Sequence, residues 1–130
     1  MINRVGYYNF DSNVGSIPKY KINSFLSLIK AKTKYSFITR YVSSYKNQTP
    51  VSSSHQAMGY TNKVDNSIMT DFSIERSFKM NASDVIFKIN IENIFDEKAP
   101  RLYNPPDFSF DPNVHDPRGR LINFKLELNF

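Results

Sequence analysis

Cysteine is missing from all 130 residues of this chain. Its absence excludes disulfide bridges, thiolate metal sites and cysteine nucleophiles. Tryptophan is missing as well, although 11 phenylalanines and 8 tyrosines bring the aromatic fraction to 15%. No run of apolar residues is longer than three, so the sequence offers no candidate transmembrane helix. The absence of a long apolar run does not exclude a membrane β-barrel, because every second residue of its strands is polar.

Charge is moderate and evenly spread. The chain carries 17 basic and 12 acidic residues, for a net charge of +5, and its mean hydropathy is −0.47. Basic character with many aromatics is one feature of nucleic-acid-binding proteins. Lysine and arginine are scattered from Arg4 to Lys125, however, with no dense block beyond Lys30, Lys32 and Lys34. We therefore expect no nucleic-acid partner.

The last ten residues alternate between apolar and polar side chains. A period of two predicts a strand with one apolar and one polar face, and ten residues suffice for a tilted strand to cross a bilayer. Four earlier segments of similar length, separated by alternately short and long connections, favour strands at residues 19–30, 34–46, 67–78 and 84–95. Residues 1–10 suggest the remnant of another strand, and the loops at 47–66 and 96–117 show no helical period.

These patterns predict an all-β fold, an antiparallel up-and-down meander of five or six strands that forms a segment of a transmembrane β-barrel. In such a barrel, one set of side chains faces lipid and the alternate set faces the lumen. The expected lipid-facing residues are Ile122, Phe124, Val85, Phe87, Ile89 and Ile91, followed by Leu126, Leu128 and Phe130. The expected lumen-facing residues are Lys88, Asn90, Glu92, Asn123, Lys125 and Glu127. Tyr41 and Tyr45 suit an interfacial aromatic girdle.

Several motifs lie in order along this meander. They are Gly15-Ser-Ile-Pro-Lys-Tyr20, Arg40-Tyr-Val-Ser-Ser-Tyr45, Asn93-Ile-Phe-Asp96, Asp111-Pro-Asn-Val-His-Asp-Pro-Arg-Gly-Arg120 and the terminal strand ending at Phe130. Together they resemble the C-terminal part of a TonB-dependent outer-membrane receptor, over roughly residues 14–130. The loop motif within this likeness comprises His115, Asp116, Pro117, Arg118 and Gly119.

The resemblance implies an outer-membrane receptor of a Gram-negative bacterium that takes up a siderophore, cobalamin or an oligosaccharide. It also implies the TonB complex, a plug domain and the barrel-assembly machinery as partners, with Phe130, Leu128 and Leu126 as the assembly signal. The chain shows no plug domain, no TonB box and no signal peptide, and its strands are too few to close a barrel of eight. Residues 1–130 are therefore expected to be a C-terminal barrel fragment that is not transport-competent alone.

The remaining polar residues support no catalytic constellation, so neither an enzyme nor a cofactor is expected. For His55 and His115 we favour surface positions over metal binding. For Asp107, Asp111 and Asp116 we favour turn formation over a cation site. Glu75 and Glu92 are expected to be lumen-facing charges paired with Lys88 or Arg40. The main alternative is a soluble β-sandwich or barrel that binds carbohydrate or nucleic acid.

Overall fold

The computed structural model describes residues 5–9, 15–81, 83–103 and 109–129. In this part the chain forms nine strands and one short helix. The strands are β1 (Tyr7–Asn9), β2 (Gly15–Ile17), β3 (Lys21–Lys30), β4 (Thr33–Val42), β5 (Tyr45–Asn47), β6 (Lys63–Val64), β7 (Ser67–Met80), β8 (Ser83–Glu92) and β9 (Leu121–Asn129), and the helix is α1 (Ser53–Ala57). The predicted all-β class is confirmed. None of the helical residues described here forms a segment long and apolar enough to cross a membrane.

The five long strands form one sheet in the order β3-β4-β7-β8-β9. Each long strand therefore lies beside the next one along the chain, which confirms the predicted five-stranded meander. Short connections at residues 31–32 and 81–82 alternate with long ones, as expected. Ala31 and Asn81 adopt positive φ values of 53° and 56° in these short connections. In the described residues β3 and β9 are the two edges of the sheet.

The register of β7, β8 and β9 places the apolar residues in continuous rows. One row consists of Ile74, Ile89 and Phe124, and the next contains Phe87 and Leu126, with Arg76 at its end on β7. Directly paired residues point to the same face of an antiparallel sheet. The other face carries rows such as Glu75, Lys88 and Lys125, and Ser73, Asn90 and Asn123. The two predicted sets of side chains therefore lie on opposite faces of one sheet.

A second, four-stranded sheet has the order β2-β1-β5-β6, and its β1 and β5 strands are parallel. It was not predicted, because residues 34–46 were interpreted as one strand. The strand breaks at Ser43, whose hydroxyl accepts a hydrogen bond from the Tyr20 N–H while its own N–H donates to the Tyr20 carbonyl, both at 3.0 Å. The short strand β1 accounts for part of the predicted sixth strand; residues 1–4 and 10 lie outside the described part.

Helix α1 corrects the prediction of an unstructured loop at residues 47–66. The helix has only five residues, Ser-Ser-His-Gln-Ala, and buries none of them. A sequence pattern predicts a helix through repeated apolar positions on one face. One exposed polar turn has no such repeat, so no pattern could have indicated it.

The chain divides into two compact units. The first consists of Met1–Ile22, Tyr41–Ile68 and Lys98–Arg118, and the second of Asn23–Arg40, Met69–Glu97 and Gly119–Phe130. Within the first unit Tyr8, Tyr45, Val64 and Leu102 form a buried apolar cluster. Within the second unit many large apolar side chains of the long strands are exposed, among them Phe25, Ile29 and Phe124.

The start of β9 is held by Asp96, which ends the Asn93-Ile-Phe-Asp96 motif. The Asp96 carboxylate accepts a hydrogen bond of 2.8 Å from the Arg120 N–H. Asn93 and Asp96 both have positive φ values, and the Asn93 side chain bonds to the N–H and the carbonyl of Glu97. Gly119 leaves the space that the carboxylate needs, since a Cβ there would lie 2.8 Å from Asp96 Oδ1.

We predict that Gly119→Ala displaces the Asp96 carboxylate and weakens its bond to the Arg120 N–H. The free energy of unfolding should fall by about 1.5–3 kcal/mol, the usual value of a hydrogen bond to a charged group. Urea unfolding in detergent, followed by circular dichroism, measures this change. In an Asp96→Ala background the same substitution should be nearly neutral. Equal losses in both backgrounds would contradict this account of Gly119.

Candidate functional site

Asp111, four residues before the loop motif, is the most deeply buried polar residue described in the first unit. Its carboxylate accepts hydrogen bonds from the Ser16 hydroxyl, from the Tyr45 hydroxyl at 2.9 Å and from the Asn113 N–H at 3.0 Å. Its carbonyl accepts the His115 N–H at 2.9 Å. The bond to Asn113 confirms the predicted role in a turn. The two hydroxyl bonds show that Asp111 also joins distant segments of this unit.

His115 is buried, with 5% of its surface exposed, so the prediction of a surface histidine is wrong. Its ring stacks on Tyr45 with a centroid distance of 6.2 Å and an angle of 6°. Its Nδ1 lies 3.2 Å from the Ser67 hydroxyl, while its Nε2 is buried with no hydrogen-bond partner among the residues that the structure describes. Burial lowers the pKa of His115; Asp111 opposes this effect and Lys21 adds to it. The imidazole is therefore neutral at physiological pH.

Tyr45 does not belong to an exposed girdle, because only 3% of its surface is exposed. Burial raises the pKa of Tyr45 well above its ordinary value, and the charge of Asp111 raises it further. The phenol therefore stays protonated and donates its hydrogen bond to Asp111 across the physiological range. The residue was expected in one girdle with Tyr41, but it lies beyond the break at Ser43, in β5.

Ser67, His115 and Asp111 are residue types that form hydrolytic triads, but their geometry here is different. A triad needs the serine at one ring nitrogen and the carboxylate at the other. Ser67 contacts Nδ1, and the Asp111 carboxylate is bound by Ser16 and Tyr45. Within the ranges that the structure describes, no three His, Asp or Glu side chains could hold a metal ion. The cluster therefore acts as a hydrogen-bonded anchor for the loop.

The rest of the loop motif is exposed. Arg118 forms an ion pair with Asp116, with Nη2 2.6 Å from Oδ2, and its N–H also donates to this carboxylate at 3.0 Å. Pro117 is exposed between them. Arg120 is attached to Asp96 through its backbone, as described above. Residues 104–108 of this loop, including the predicted turn residue Asp107, lie outside the described part.

Most of the expected lipid-facing residues are at least partly exposed. Phe124 is 70% exposed, and the other strongly exposed members are Ile122, Leu126, Leu128 and Phe87. Ile89 and Ile91 are half-buried. Val85 differs from the expectation that it faces lipid. It lies on the same face, but only 2% of its surface is exposed. Its row places it between the larger side chains of Phe78 and Leu128. Phe130 lies outside the described residues.

The expected lumen-facing residues bond to one another across the polar face. Lys88 lies 4.0 Å from Glu75, as predicted, and Lys125 lies 2.9 Å from Glu127. Arg40 pairs instead with Asp71, through two bonds of 2.6 and 2.9 Å. The amides of Asn90 and Asn123 approach Glu92 at 3.5 and 3.4 Å. This face is polar, with its positive and negative charges close together.

Comparison with known proteins found no family model, no curated protein and no solved structure that matches the chain. Its function is therefore inferred from its geometry. Sequence reasoning missed two features of this geometry: the burial of Asp111 with Tyr45 and His115, and the row of lysines on the second sheet described below. The Asp111-Pro112 pair predicts a turn, but nothing in this pair predicts that the Asp111 side chain is buried.

Asp111→Ala should lower the free energy of unfolding by about 2–4 kcal/mol, because it removes a charged acceptor and leaves the Ser16 and Tyr45 hydroxyls unsatisfied. Urea unfolding followed by the near-ultraviolet circular dichroism of the tyrosines measures this loss. Asp65→Ala is the matched control, since it removes only an exposed ion pair with Lys63 and should cost less than about 1 kcal/mol. Similar losses of unfolding free energy in both variants would refute the proposed anchoring role of Asp111.

The buried His115 predicts a pH dependence of stability. Its pKa is lowered in the folded state, so the unfolded chain takes up a proton first as the pH falls through 6.5. Stability is fully present above that pH and decreases below it. His115→Gln should remove this part of the decrease, measured as urea midpoints between about pH 8 and pH 5. His55→Gln should retain it; an unchanged slope in His115→Gln would overturn the assignment.

Proposed function

We propose that this chain is the C-terminal part of an outer-membrane receptor for the TonB-energised uptake of a scarce nutrient. The five-stranded sheet would form part of the barrel wall. The observation that carries the proposal is the mainly apolar and largely exposed face formed by β7, β8 and β9, with a polar face behind it. An apolar surface of this extent in water is unfavourable by roughly 25 cal/mol per Å², which lipid contact avoids.

Strand length supports a membrane setting. Strands β3, β4 and β8 each have ten residues, β9 has nine and β7 has fourteen. A tilted strand needs about 9–11 residues to cross the hydrocarbon core. The five strands are therefore each long enough to span it. Five neighbouring strands of nine or more residues would be unusual in a small soluble sheet, where five or six residues are common.

The connections differ at the two ends of the sheet. Strands β3, β7 and β9 run in one direction, and β4 and β8 run in the other. The two-residue connections at 31–32 and 81–82 therefore share one end with the last residue of β9, while both long connections share the other end. Outer-membrane barrels combine short periplasmic turns with longer extracellular loops. The same asymmetry supports placing Asn129 on the periplasmic side.

Further strands are needed to complete the barrel. Because β3 and β9 run in the same direction, joining them directly would create a parallel pair. Bacterial barrels of this class are antiparallel and have an even number of strands, at least eight. An odd number of additional strands, three or more, must therefore pair with the two edges. We propose that these strands and the plug domain of the parent receptor are partners, along with outer-membrane lipid and the TonB complex.

The assembly machinery remains part of this proposal. Leu126 and Leu128 lie on the exposed apolar face of β9, where such machinery would find them. Phe130 follows them at the same spacing of two in the sequence. A fragment that exposes two unpaired strand edges in lipid is unfavourable, because backbone groups there must find partners. The chain is therefore proposed to be incompetent for transport alone.

The absence of cysteine allows a direct test of the two faces. Phe124→Cys and Asn123→Cys place single thiols on adjacent residues of β9 that point in opposite directions. We expect a fluorophore at position 124, in detergent micelles, to be quenched by a nitroxide-labelled fatty acid. The same fluorophore at position 123 should be quenched mainly by a water-soluble nitroxide, because the polar face is hydrated.

A second experiment examines the chain in buffer without detergent. The chain expressed alone is expected in the insoluble fraction, because its apolar face has no cover in buffer. A soluble monomer with a sharp melting transition would contradict the membrane proposal. The contradiction would be stronger if the thiol of Phe124→Cys did not react with water-soluble thiol reagents. That result would favour the soluble sandwich instead, since the apolar face would then be buried against protein.

A further inference from the structure

The first unit contains a cavity of about 560 Å³ beside the four-stranded sheet. Its walls include Tyr7 of β1, Lys46 of β5 and Lys63 of β6, with Gln48, Thr61 and Asn62 from the adjoining chain. Sites for small molecules commonly have volumes of about 300–1,000 Å³. The size of this cavity therefore suits a ligand of one or two sugar rings.

The strand register explains how the walls are built. Tyr7 pairs with Lys46, and Lys46 pairs with Lys63, so these three residues form one row across β1, β5 and β6. Tyr45 and Val64, which are next to the lysines in the sequence, are buried in the apolar cluster. The packing of that cluster fixes the sheet and leaves the row with Tyr7 and the two lysines open to the cavity.

Of the two lysines, Lys63 alone has an ion-pair partner among the described residues. Like charges directly opposite each other on neighbouring strands are destabilising. Lys63 is relieved by Asp65, whose Oδ1 lies 2.9 Å from its Nζ. Lys46 makes no ion pair with any residue that the structure describes. An anionic group bound between the two ammonium groups would remove the repulsion, so the cavity favours an anion over a neutral ligand.

The other walls favour a hydroxylated ligand. The side-chain amides of Gln48 and Asn62 each offer both donors and an acceptor, which is what sugar hydroxyls require. The backbone at Asn62 is fixed by the bond of 2.7 Å that its carbonyl accepts from the Asn47 N–H. The ring of Tyr7 supplies the one aromatic surface among the cavity walls, against which the apolar face of a sugar ring can lie.

We propose that this cavity binds a saccharide that carries a carboxylate or a phosphate. Lys46 and Lys63 hold the anionic group, the two amides bind hydroxyls and Tyr7 contacts the ring. Every one of these residues belongs to the first unit, so the site depends on neither lipid nor additional barrel strands. The inference therefore goes beyond the proposed uptake function, and it can fail or hold separately from it.

Calorimetry on the full chain, refolded in detergent micelles, tests this proposal with glucuronate, glucose 6-phosphate and glucose as probes. We expect at least one acidic sugar to bind and glucose to bind at least tenfold more weakly. Lys46→Gln should weaken the acidic ligand tenfold or more, whereas Lys46→Arg should retain most of the affinity. Preference for glucuronate identifies a carboxylate ligand, and preference for glucose 6-phosphate identifies a phosphate ligand.

Lys98→Gln is the matched control, because it removes the same charge from an exposed position of the first unit outside the cavity. It should leave the affinity unchanged, and Tyr7→Ala should weaken binding more than Tyr7→Phe does. Equal binding of glucose, equal weakening by Lys98→Gln, or binding of inorganic phosphate as tight as that of the sugar phosphate would each overturn the saccharide site. Tighter binding of a short single-stranded oligonucleotide would overturn it in favour of a nucleic-acid surface.

Discussion

The register of strands β7, β8 and β9 determines which side chains lie on each face of the five-stranded sheet. Side chains on a strand alternate with a period of two, so a slip of one residue would exchange the two faces completely. Here the pairing of Ile74 with Ile89 and of Ile89 with Phe124 sets one continuous apolar face. The same register brings Lys88 beside Glu75 on the other face. The strand register therefore determines both the apolar surface proposed to contact lipid and the ion pairs on the opposite face.

The first unit is stabilised in a different way. Its apolar cluster is small, and the buried carboxylate of Asp111 joins strand β2 through Ser16 to strand β5 through Tyr45. A buried charge is tolerated only where hydrogen bonds replace its water. The hydroxyls of Ser16 and Tyr45 and the N–H of Asn113 provide this replacement. The loop motif is thereby ordered by polar contacts, and His115 is enclosed as a neutral ring.

The sequence predicted the features that repeat locally. Alternation located the five long strands and the two faces of β7, β8 and β9, because it arises within each strand, and the short and long connections indicated the strand order. It did not predict the burial of Asp111, whose partners Ser16 and Tyr45 are 95 and 66 residues away. The break at Ser43 was missed because it depends on bonds to Tyr20, and Val85 was placed correctly by face but not by burial. Contacts between distant residues decide these cases, and no local pattern records them.

Two pairs of lysines lie directly opposite each other on neighbouring strands, and their surroundings differ. In the long sheet Lys88 faces Lys125, and each has its own carboxylate, Glu75 for the first and Glu127 for the second. In the small sheet Lys46 faces Lys63, and within the described part of the chain only Lys63 has such a partner, Asp65. Repulsion between opposed lysines is therefore already compensated in the long sheet, where a further anion would gain little. At Lys46 no carboxylate of the described residues already neutralises the ammonium group, so a bound anion would be attracted more strongly there. For this reason the ligand is expected at the cavity of the first unit.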